Sequence, residues 1–374
     1  MINRKKIGVL TSSRADYGIY QSLLNFWKSQ EWIEVEIIVF GCHLLPEFKS
    51  KLDLIKKDSF GFIHVVGDFV KTNTSKDLVK TYSRVIDSFS NFWEHQKYDC
   101  LMALGDRFEM SAAIQSTIPF HIPIAHIHGG ETTLGAIDNI YRHQISLASE
   151  MHFTSTEAYS KRVAKLIGSH ENIFNVGSLS LSDLNLDFLK SWDEIATNYK
   201  IPKKSFVLVT IHPETELITD FKDELDELSI VFKFLIKKYF LVITGTNSDQ
   251  NHQSIVNSLK KFCKLNPQHA TYINSLGRNN YLSAIYNCSF MLGNSSSGII
   301  EAASFGKYVF NLGKRQNGRL TSKNTFTMPF ESELILSSIS ELEKKGFEYE
   351  GENIYFQKNV PEKITSCVKQ YLRV

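Results

Sequence analysis

The chain has 374 residues, enough for two domains of ordinary size, each with its own core. Hydrophobic residues make up 43% and charged residues 22%, the balance of a globular protein in water, and no apolar run reaches bilayer-spanning length. A net charge of +2 excludes a general electrostatic attraction to nucleic acid or to an anionic membrane, so any anion-binding charge has to be local.

The start, MINRKKIGVLTSS, is basic but lacks the apolar core of a secretory leader. Cys42, Cys100, Cys263, Cys288 and Cys367 are scattered, form no C-x-x-C pair and read as free thiols of a reducing compartment. A cytoplasmic protein is expected.

Apolar strand-like runs alternate with helix-length amphipathic segments, the pattern of an α/β protein with mostly parallel sheets. In the first half the strands fall near residues 6–11, 35–40, 62–66, 100–104, 123–127 and 151–155, with helices near 19–30, 77–95 and 156–167. A short strand at 173–176 ends at Gly177, and polar, irregular text from 178 to 204 places a domain junction near 180–200. Strands resume near 206–211, 240–245, 271–275, 290–293 and 308–313. The expectation is two doubly wound, Rossmann-like domains (1–180 and 200–355) facing across a cleft, with a tail helix in 360–374 packing back on the first. Ligands of such sheets bind beyond the C-terminal ends of the strands, so the loops there carry the functional information.

After the first strand comes SSRADYG, whose only strong cation is Arg14; it pairs either with a diphosphate or with Asp16. After the fourth, GDRFE holds Asp106 at the sheet edge beside Arg107, as a catalytic acid/base or as a helix N-cap. The loop HIHGGETTLGAIDNIYRH gathers His126, His128, Glu131, Asp138, Arg142 and His143 within 18 residues. Two histidines at i and i+2 beside a carboxylate raise a metal site, but no third ligand has the spacing for one. Titratable groups collected at a strand end suit proton transfer near neutral pH, with capping of a helix that starts near Ala136 as the structural alternative.

In the second half, His212 of HPET follows a strand and stands where it can donate to a phosphate or a leaving oxygen, with Pro213 stiffening the turn. Asn247 in GTNSD and the stretch NSLGR ending in Arg278 offer polar groups to a nucleotide. The densest stretch is 292–319, LGNSSSGIIEAASFGKYVFNLGKRQNGR, a strand, a small-residue turn, a helix and a strand. Asn294, Ser295, Ser296 and Gly298 would turn backbone N–H groups and hydroxyls toward an anion at the helix N-terminus. Glu301, expected in the first helical turn, can accept from two neighbouring hydroxyls, as on a ribose, and Arg315 and Arg319 can reach back to neutralise phosphate. The alternative is a serine-rich N-cap with a solvated glutamate and surface arginines.

With TSSRADYG (11–18), LGDRFE (104–109), HIHGGETTLGAIDNIYRH (126–143), FTSTEAYSKRV (153–163), FNVGSLS (174–180), IHPET (211–215) and GNSSSGIIE with NLGKRQNGR (293–319) in view, the chain resembles the hydrolysing UDP-N-acetylglucosamine 2-epimerases of bacterial sialic acid and legionaminic acid synthesis. These are relatives of the non-hydrolysing 2-epimerases and share the GT-B glycosyltransferase fold. The likeness is collinear from about residue 6 to 320, and no kinase domain follows, so the single-function bacterial form is expected. The resemblance implies that UDP leaves the anomeric carbon as the C2 proton departs, giving a glycal to which water then adds. It implies that Arg14, Ser295, Ser296, His212 and Arg315 surround the diphosphate, that Asp106, Glu131 and Asp138 serve the C2 hydrogen, and that Glu301 holds the ribose. Arg107, Asn247, Arg278, Asn294 and Gly298 complete the expected substrate contacts. No metal or organic cofactor is implied; a homo-oligomer, dimer or tetramer, is.

Position 128 departs from part of the family, where a glutamate stands. His128 takes over proton work, or orients the sugar while Glu131 and Asp138 do it, or is a structural residue. The substrate is UDP-N-acetylglucosamine or a diacetamido-trideoxy sugar nucleotide. A GT-B glycosyltransferase and a UDP-sugar-binding regulator are the readings from other classes, against which the carboxylate-rich loop argues.

Overall fold

The computed structural model describes residues 4–45, 49–68, 74–134, 136–182, 184, 189–214, 221–246 and 252–374. Strands β1 (Lys5–Thr11), β2 (Ile33–Val39), β3 (Phe62–Val65), β4 (Cys100–Leu104), β5 (Ile124–Ile127), β6 (Met151–Thr154) and β7 (Ile173–Asn175) form one sheet. Its order is β3-β2-β1-β4-β5-β6-β7 and every pairing is parallel. A second sheet contains β8 (Phe206–Thr210), β9 (Phe240–Thr244), β10 (Ala270–Ile273), β11 (Phe290–Gly293), β12 (Val309–Leu312) and β13 (Thr325–Met328). It runs β10-β9-β8-β11-β12-β13, again all parallel. The α/β expectation holds: two Rossmann-like sheets with helices on both faces.

The chain divides into two units. The first comprises Met1–Glu131, Asp138–Asp183 and Tyr355–Val374, the second Thr132–Ile137 and Leu184–Ile354. The central strands are continuous apolar runs because both faces are covered, as parallel sheets require. In the first sheet Ile7, Val9, Met102 and Phe153 belong to one core while Leu10, Leu101, Ala103 and Ile124 belong to the other. The second sheet splits in the same way, Val207, Val209 and Leu241 against Leu208, Phe240 and Val242.

The first helix spans Arg14–Trp27, earlier than apolar periodicity suggests, because Ser13 and Asp16 close a capping box at its start. The helix Val360–Tyr371 buries Val360, Ile364 and Val368 in the core that also holds Trp27, and the Trp27 indole N–H donates to Thr365 Oγ1 at 2.8 Å. An i, i+4 apolar stripe with proline in the first turn is what a docked terminal helix needs. Strand β13 escapes the sequence reading because it lies at the sheet edge with most of its residues partly or fully exposed, which erases the apolar run.

Thr132–Ile137 leaves the first unit directly after Glu131 and packs in the second. The Leu134 N–H donates to the Asn317 carbonyl at 2.8 Å, and Thr132 and Leu134 lie against Gly318, where a Cβ would come within 2.8 Å of the Thr132 methyl. In both sheets the strand order reverses between two neighbours, β1 and β4 in the first, β8 and β11 in the second. The loops leaving those strands are where a doubly wound sheet presents its ligand groups.

Candidate active site

In the first unit, the loop after β1 is built on Asp16. Its carboxylate accepts from the backbone N–H groups of Ser12, Ser13 and Tyr17 and from the hydroxyls of Ser12 and Thr11, at 2.7–3.1 Å. Thr11 Oγ1 also meets His43 Nε2 at 2.9 Å. Asp16 therefore serves the loop, and Arg14 opens the following helix half-buried, where burial lowers its pKa. An arginine so placed remains a cation.

After β4, Gly105 turns the chain and Asp106 projects, with 28% of its side chain exposed, against the guanidinium of Arg142, which is almost wholly buried. Arg142 also donates to the Glu131 carbonyl at 2.7 Å, so one side chain ties the GDRFE loop to the HIHGGE loop. Arg107 forks onto the Glu109 carboxylate, Nε to Oε2 at 3.1 Å and Nη2 to Oε1 at 2.9 Å, and touches Cys42 Sγ. Burial pushes the Cys42 thiol far up, which removes it as a nucleophile.

After β5 the two histidines part. His126 uses Nε2–H to hold the Gly105 carbonyl at 2.8 Å and Nδ1 to meet Ser146 Oγ at 3.0 Å; burial pushes its pKa down to about 3, so it is a neutral brace for the turn before Asp106. His128 adopts φ +66°, the left-handed region, and turns the other way. Its Nε2 lies 3.2 Å from both the Leu179 N–H and Ser178 Oγ, and its Nδ1 lies 3.8 Å from Glu131 Oε1. Glu131 is 3% exposed and accepts from Ser155 Oγ at 3.0 Å on that same oxygen. Asp138 opens the helix Asp138–Leu147, half-buried. Among the described residues no group of three or more histidine, cysteine, aspartate or glutamate side chains is arranged to hold a metal ion.

In the second unit, the ends of β8 and β11 are clasped together by Asn294. Its Oδ1 accepts from the His212 N–H at 2.7 Å and its Nδ2 donates to the His212 carbonyl at 2.9 Å. The Asn294 carbonyl in turn receives Gln316 Nε2 at 2.8 Å and Arg315 Nη1 at 3.3 Å. Gly293 has φ +139°, and a Cβ there would lie 2.0 Å from the Thr210 carbonyl oxygen, so only glycine lets the strands close on this clasp. Glu214 Oε1 accepts from the N–H groups of Lys314 and Arg315 at 2.6 and 3.2 Å, which fixes the turn carrying Arg315. Burial, then the nearby Arg315 charge, hold His212 well below its ordinary pKa, so its ring is neutral.

Ser295 caps the short helix Ser296–Ile300 by accepting from the Ser297 N–H, and Ser296 and Gly298 follow in its first turn. Because the helix is a single turn running into a 3-10 turn, it offers N–H groups rather than a long macrodipole. Glu301 is its C-cap, not a first-turn residue, and is buried. Beneath the serines, Tyr281 hydroxyl meets Thr210 Oγ1 at 3.1 Å, which meets Thr244 Oγ1 at 2.6 Å. Burial pushes the Tyr281 phenol up to about 12. Arg278 begins the helix Arg278–Asn287, half-buried, and Asn247 lies outside the described residues.

Thus Arg142 links Asp106 to the Glu131 backbone, His128 stands beside the Glu131 carboxylate, and His212, Asn294 and Arg315 come together beside Ser295 and Ser296. Sequence reasoning named Asp16, Arg142 and the HPET glutamate, Glu214, without their bracing roles, and missed Glu109, Gln316 and Tyr281. Ser178 and Leu179 were visible only as polar text after a short strand. Their signal was the Gly-Ser pair at 177–178, which marks a strand-end loop like the others.

Residues 26–369 match the family model described as UDP-N-acetylglucosamine 2-epimerase. The chain is 32% identical over 373 residues to the polysialic acid biosynthesis protein P7 of Escherichia coli, covering 99% of this chain and 95% of that one. It is 34% identical over 327 residues, 86% of this chain and 84% of the other, to the GDP/UDP-N,N'-diacetylbacillosamine 2-epimerase (hydrolyzing) of Campylobacter jejuni. In fold it matches the crystal structure of UDP-GlcNAc 2-epimerase from Neisseria meningitidis bound to UDP-GlcNAc, with TM-score 0.75, 17% identity, and 98% and 100% of the two chains covered. With the family model spanning nearly the whole chain and two relatives above 30% identity, this protein belongs to the UDP-N-acetylglucosamine 2-epimerase family, with its GT-B-like pair of Rossmann-like units.

Proposed function

We propose that this member is a hydrolysing enzyme that converts UDP-N-acetylglucosamine and water to N-acetylmannosamine and UDP by way of 2-acetamidoglucal. The observation that carries the reading is the buried Glu131, gripped by Ser155 and neighboured by His128 and the Asp106–Arg142 pair at the C-terminal edge of its sheet. Sugar transfer to an acceptor needs no such gathering of proton-transfer groups; reaction at C2 does. The word "hydrolyzing" in the name of the Campylobacter relative supports the same reading.

The C2 hydrogen is barely acidic until positive charge builds at C1, so departure of UDP has to lead. In the first step the C1–O bond breaks with its electron pair leaving on UDP, and the C2–H pair becomes the C1=C2 bond as a base takes the proton. In the second, water adds its oxygen to C1 while C2 is reprotonated on the opposite face. Arg14 and Arg315 neutralise the diphosphate, Ser295, Ser296 and His212 donate to it, and Asn294, Gly298, Arg278 and Asn247 line the nucleotide side. Glu301 accepts from the ribose hydroxyls. Asp106, Glu131 and Asp138 form the proton-transfer set, with His128 beside Glu131 and with Arg107, paired with Glu109, on the substrate side. The reading needs no metal or organic cofactor, and places the enzyme in the cytoplasm as a homo-oligomer, dimer or tetramer. Among the described residues no helix is long and apolar enough to cross a membrane.

The second reading keeps the reaction and changes the sugar to N,N'-diacetylbacillosamine, the substrate in the name of the 34% identical relative. Proton NMR with UDP-N-acetylglucosamine in D2O tests both. Free N-acetylmannosamine deuterated at C2, with stoichiometric UDP, is the expected result. UDP-N-acetylmannosamine at equilibrium would make the enzyme non-hydrolysing. Turnover only of the diacetamido sugar nucleotide would select the second reading, and release of UDP only on adding an acceptor would make it a transferase.

A further inference from the structure

We propose that His128 is a positioning residue locked as the neutral Nδ1–H tautomer, whose proton orients the Glu131 carboxylate, and that it does not itself exchange protons with the substrate. The inference rests on the proton chemistry proposed above and decides which residue of the HIHGGE loop performs it.

The argument starts from a donor that has no choice. A backbone N–H can only donate, and the Leu179 N–H points at His128 Nε2 from 3.2 Å in a buried environment. That nitrogen therefore carries a lone pair. Flipping the ring would set a C–H against the N–H, so the orientation is fixed as well as the tautomer. Ser178 Oγ, also 3.2 Å away, can add its own hydroxyl hydrogen to the same lone pair or give it to Ser180 Oγ at 3.0 Å. The proton of a neutral ring must then sit on Nδ1, the nitrogen that faces Glu131 Oε1 at 3.8 Å. Ser155 donates to that same oxygen, so closing the gap from Nδ1 would bring a second donor onto Oε1 and fix the plane of the carboxylate. The 3.8 Å gap is longer than a hydrogen bond; catalytic contacts of this kind commonly tighten when substrate is bound.

The same geometry removes His128 as an acid/base. To become an imidazolium it must gain a proton on Nε2, which would meet the Leu179 N–H head-on. To act as a base through Nδ1 it would first have to shed the proton already there. Neither change fits a ring whose Nε2 is held by the Leu179 N–H, whereas Glu131 can accept and return a proton without moving the Ser155 donor. The backbone supports this role. His128 is held at φ +66°, a region uncommon outside glycine. Strain of that kind persists where the surroundings over-determine it, and here it turns the ring away from the direction of His126 and toward Leu179.

The test has one arm that needs no turnover. In the wild-type protein labelled with 15N-histidine, the His128 ring, assigned by its loss in His128→Asn, should show a protonated Nδ1 and an unprotonated Nε2 throughout pH 6–8. An Nε2–H ring or an imidazolium would overturn the proposal, whatever the enzyme's substrate proves to be. The second arm uses the turnover assay. His128→Ala should lower kcat with little change in KM. His128→Asn, which suits the left-handed backbone and returns an N–H near the Nδ1 position, should recover most of that loss, while Glu131→Gln should lose about 10²–10⁴-fold. The kcat–pH profile of His128→Asn should keep the wild-type acid limb. An asparagine variant that is folded yet as impaired as Glu131→Gln, or that lacks this limb, would return the proton work to His128.

Discussion

His126 and His152 stand opposite each other on β5 and β6, and both are completely buried. Burial pushes His126 down to about 3 and His152 down to about 4, against about 6.5 for an exposed histidine. Both rings are neutral in the folded unit and take up a proton on unfolding between about pH 4 and about pH 6.5. The unfolded chain then binds more protons than the folded one, so stability rises with pH through this window and is lost as pH falls. Each histidine contributes about 1.4 kcal/mol per pH unit, hence about 2 kcal/mol by pH 5 and about 4 kcal/mol for the pair. Burial raises the Glu150 carboxyl and works in the opposite sense, while His43 and His143, lowered by burial in the same unit, add to the fall, so about 4 kcal/mol is the share of this pair alone. That is a large share of the roughly 5–15 kcal/mol that holds a domain together. Trp27, Trp32 and Trp93 lie in the first unit and Trp192 in the second, so urea unfolding followed by tryptophan fluorescence in Trp192→Phe reports the first unit alone. Between pH 7 and pH 5 its unfolding free energy should fall by at least about 3 kcal/mol, and His152→Gln, which cannot be protonated, should reduce the fall by about 2 kcal/mol. A loss under about 1 kcal/mol, or one that His152→Gln leaves intact, would show that the buried rings do not set the acid sensitivity.

Arg142→Met removes the donor shared by Asp106 and the Glu131 carbonyl and should destabilise the first unit by about 3 kcal/mol, the low end for a broken buried pair because Asp106 is partly exposed; a change under about 1 kcal/mol in the same urea assay would contradict the tie between the two loops. Asp16→Asn turns an acceptor of several donors into a group that repels some of them, so KM should rise with the misplaced Arg14 while the second unit's unfolding is unmoved. A variant with wild-type KM would show that the loop holds without Asp16. Glu301→Ala should weaken UDP binding about 10–100-fold in calorimetry, the worth of hydrogen bonds to a charged group, and an unaltered affinity would remove the ribose role.

The strands were legible because parallel sheets bury both faces, and an apolar run such as FVLVT (206–210) has few other places to go. The loops that matter were legible as a class for a related reason: polar residues immediately after such runs must lie at the C-terminal edge. What could not be read was direction. His126 and His128 are two residues apart and would share a strand face, yet the left-handed backbone at His128 sends the rings to different partners. Glu301 illustrates the same limit, since the helix starts at Ser296, ahead of its apolar pattern at Ile299, and ends after a single α-turn, which leaves Glu301 as its C-cap. Arg142 was visible only as one charge among several, because its partners, a carbonyl and a carboxylate, come from two other loops.

The charge state of His212 bears on how a leaving diphosphate would be stabilised under the proposed function. His212 lies buried beside Arg315, and both effects hold its ring neutral. Under the proposed function it would therefore give the diphosphate one directed N–H but no net charge, and compensation for a departing UDP would fall to the arginines. Arg315 is suited to this because its turn is fixed from two sides, by Glu214 on its backbone N–H and by the Asn294 carbonyl on its guanidinium. A donor already held in place loses little further freedom as charge develops on the leaving oxygen, which is what makes such groups stabilise a transition state more than a ground state. The same clasp makes Asn294 the residue on which both the neutral donor and the cation depend, since its amide holds the His212 backbone and its carbonyl holds Arg315 and Gln316.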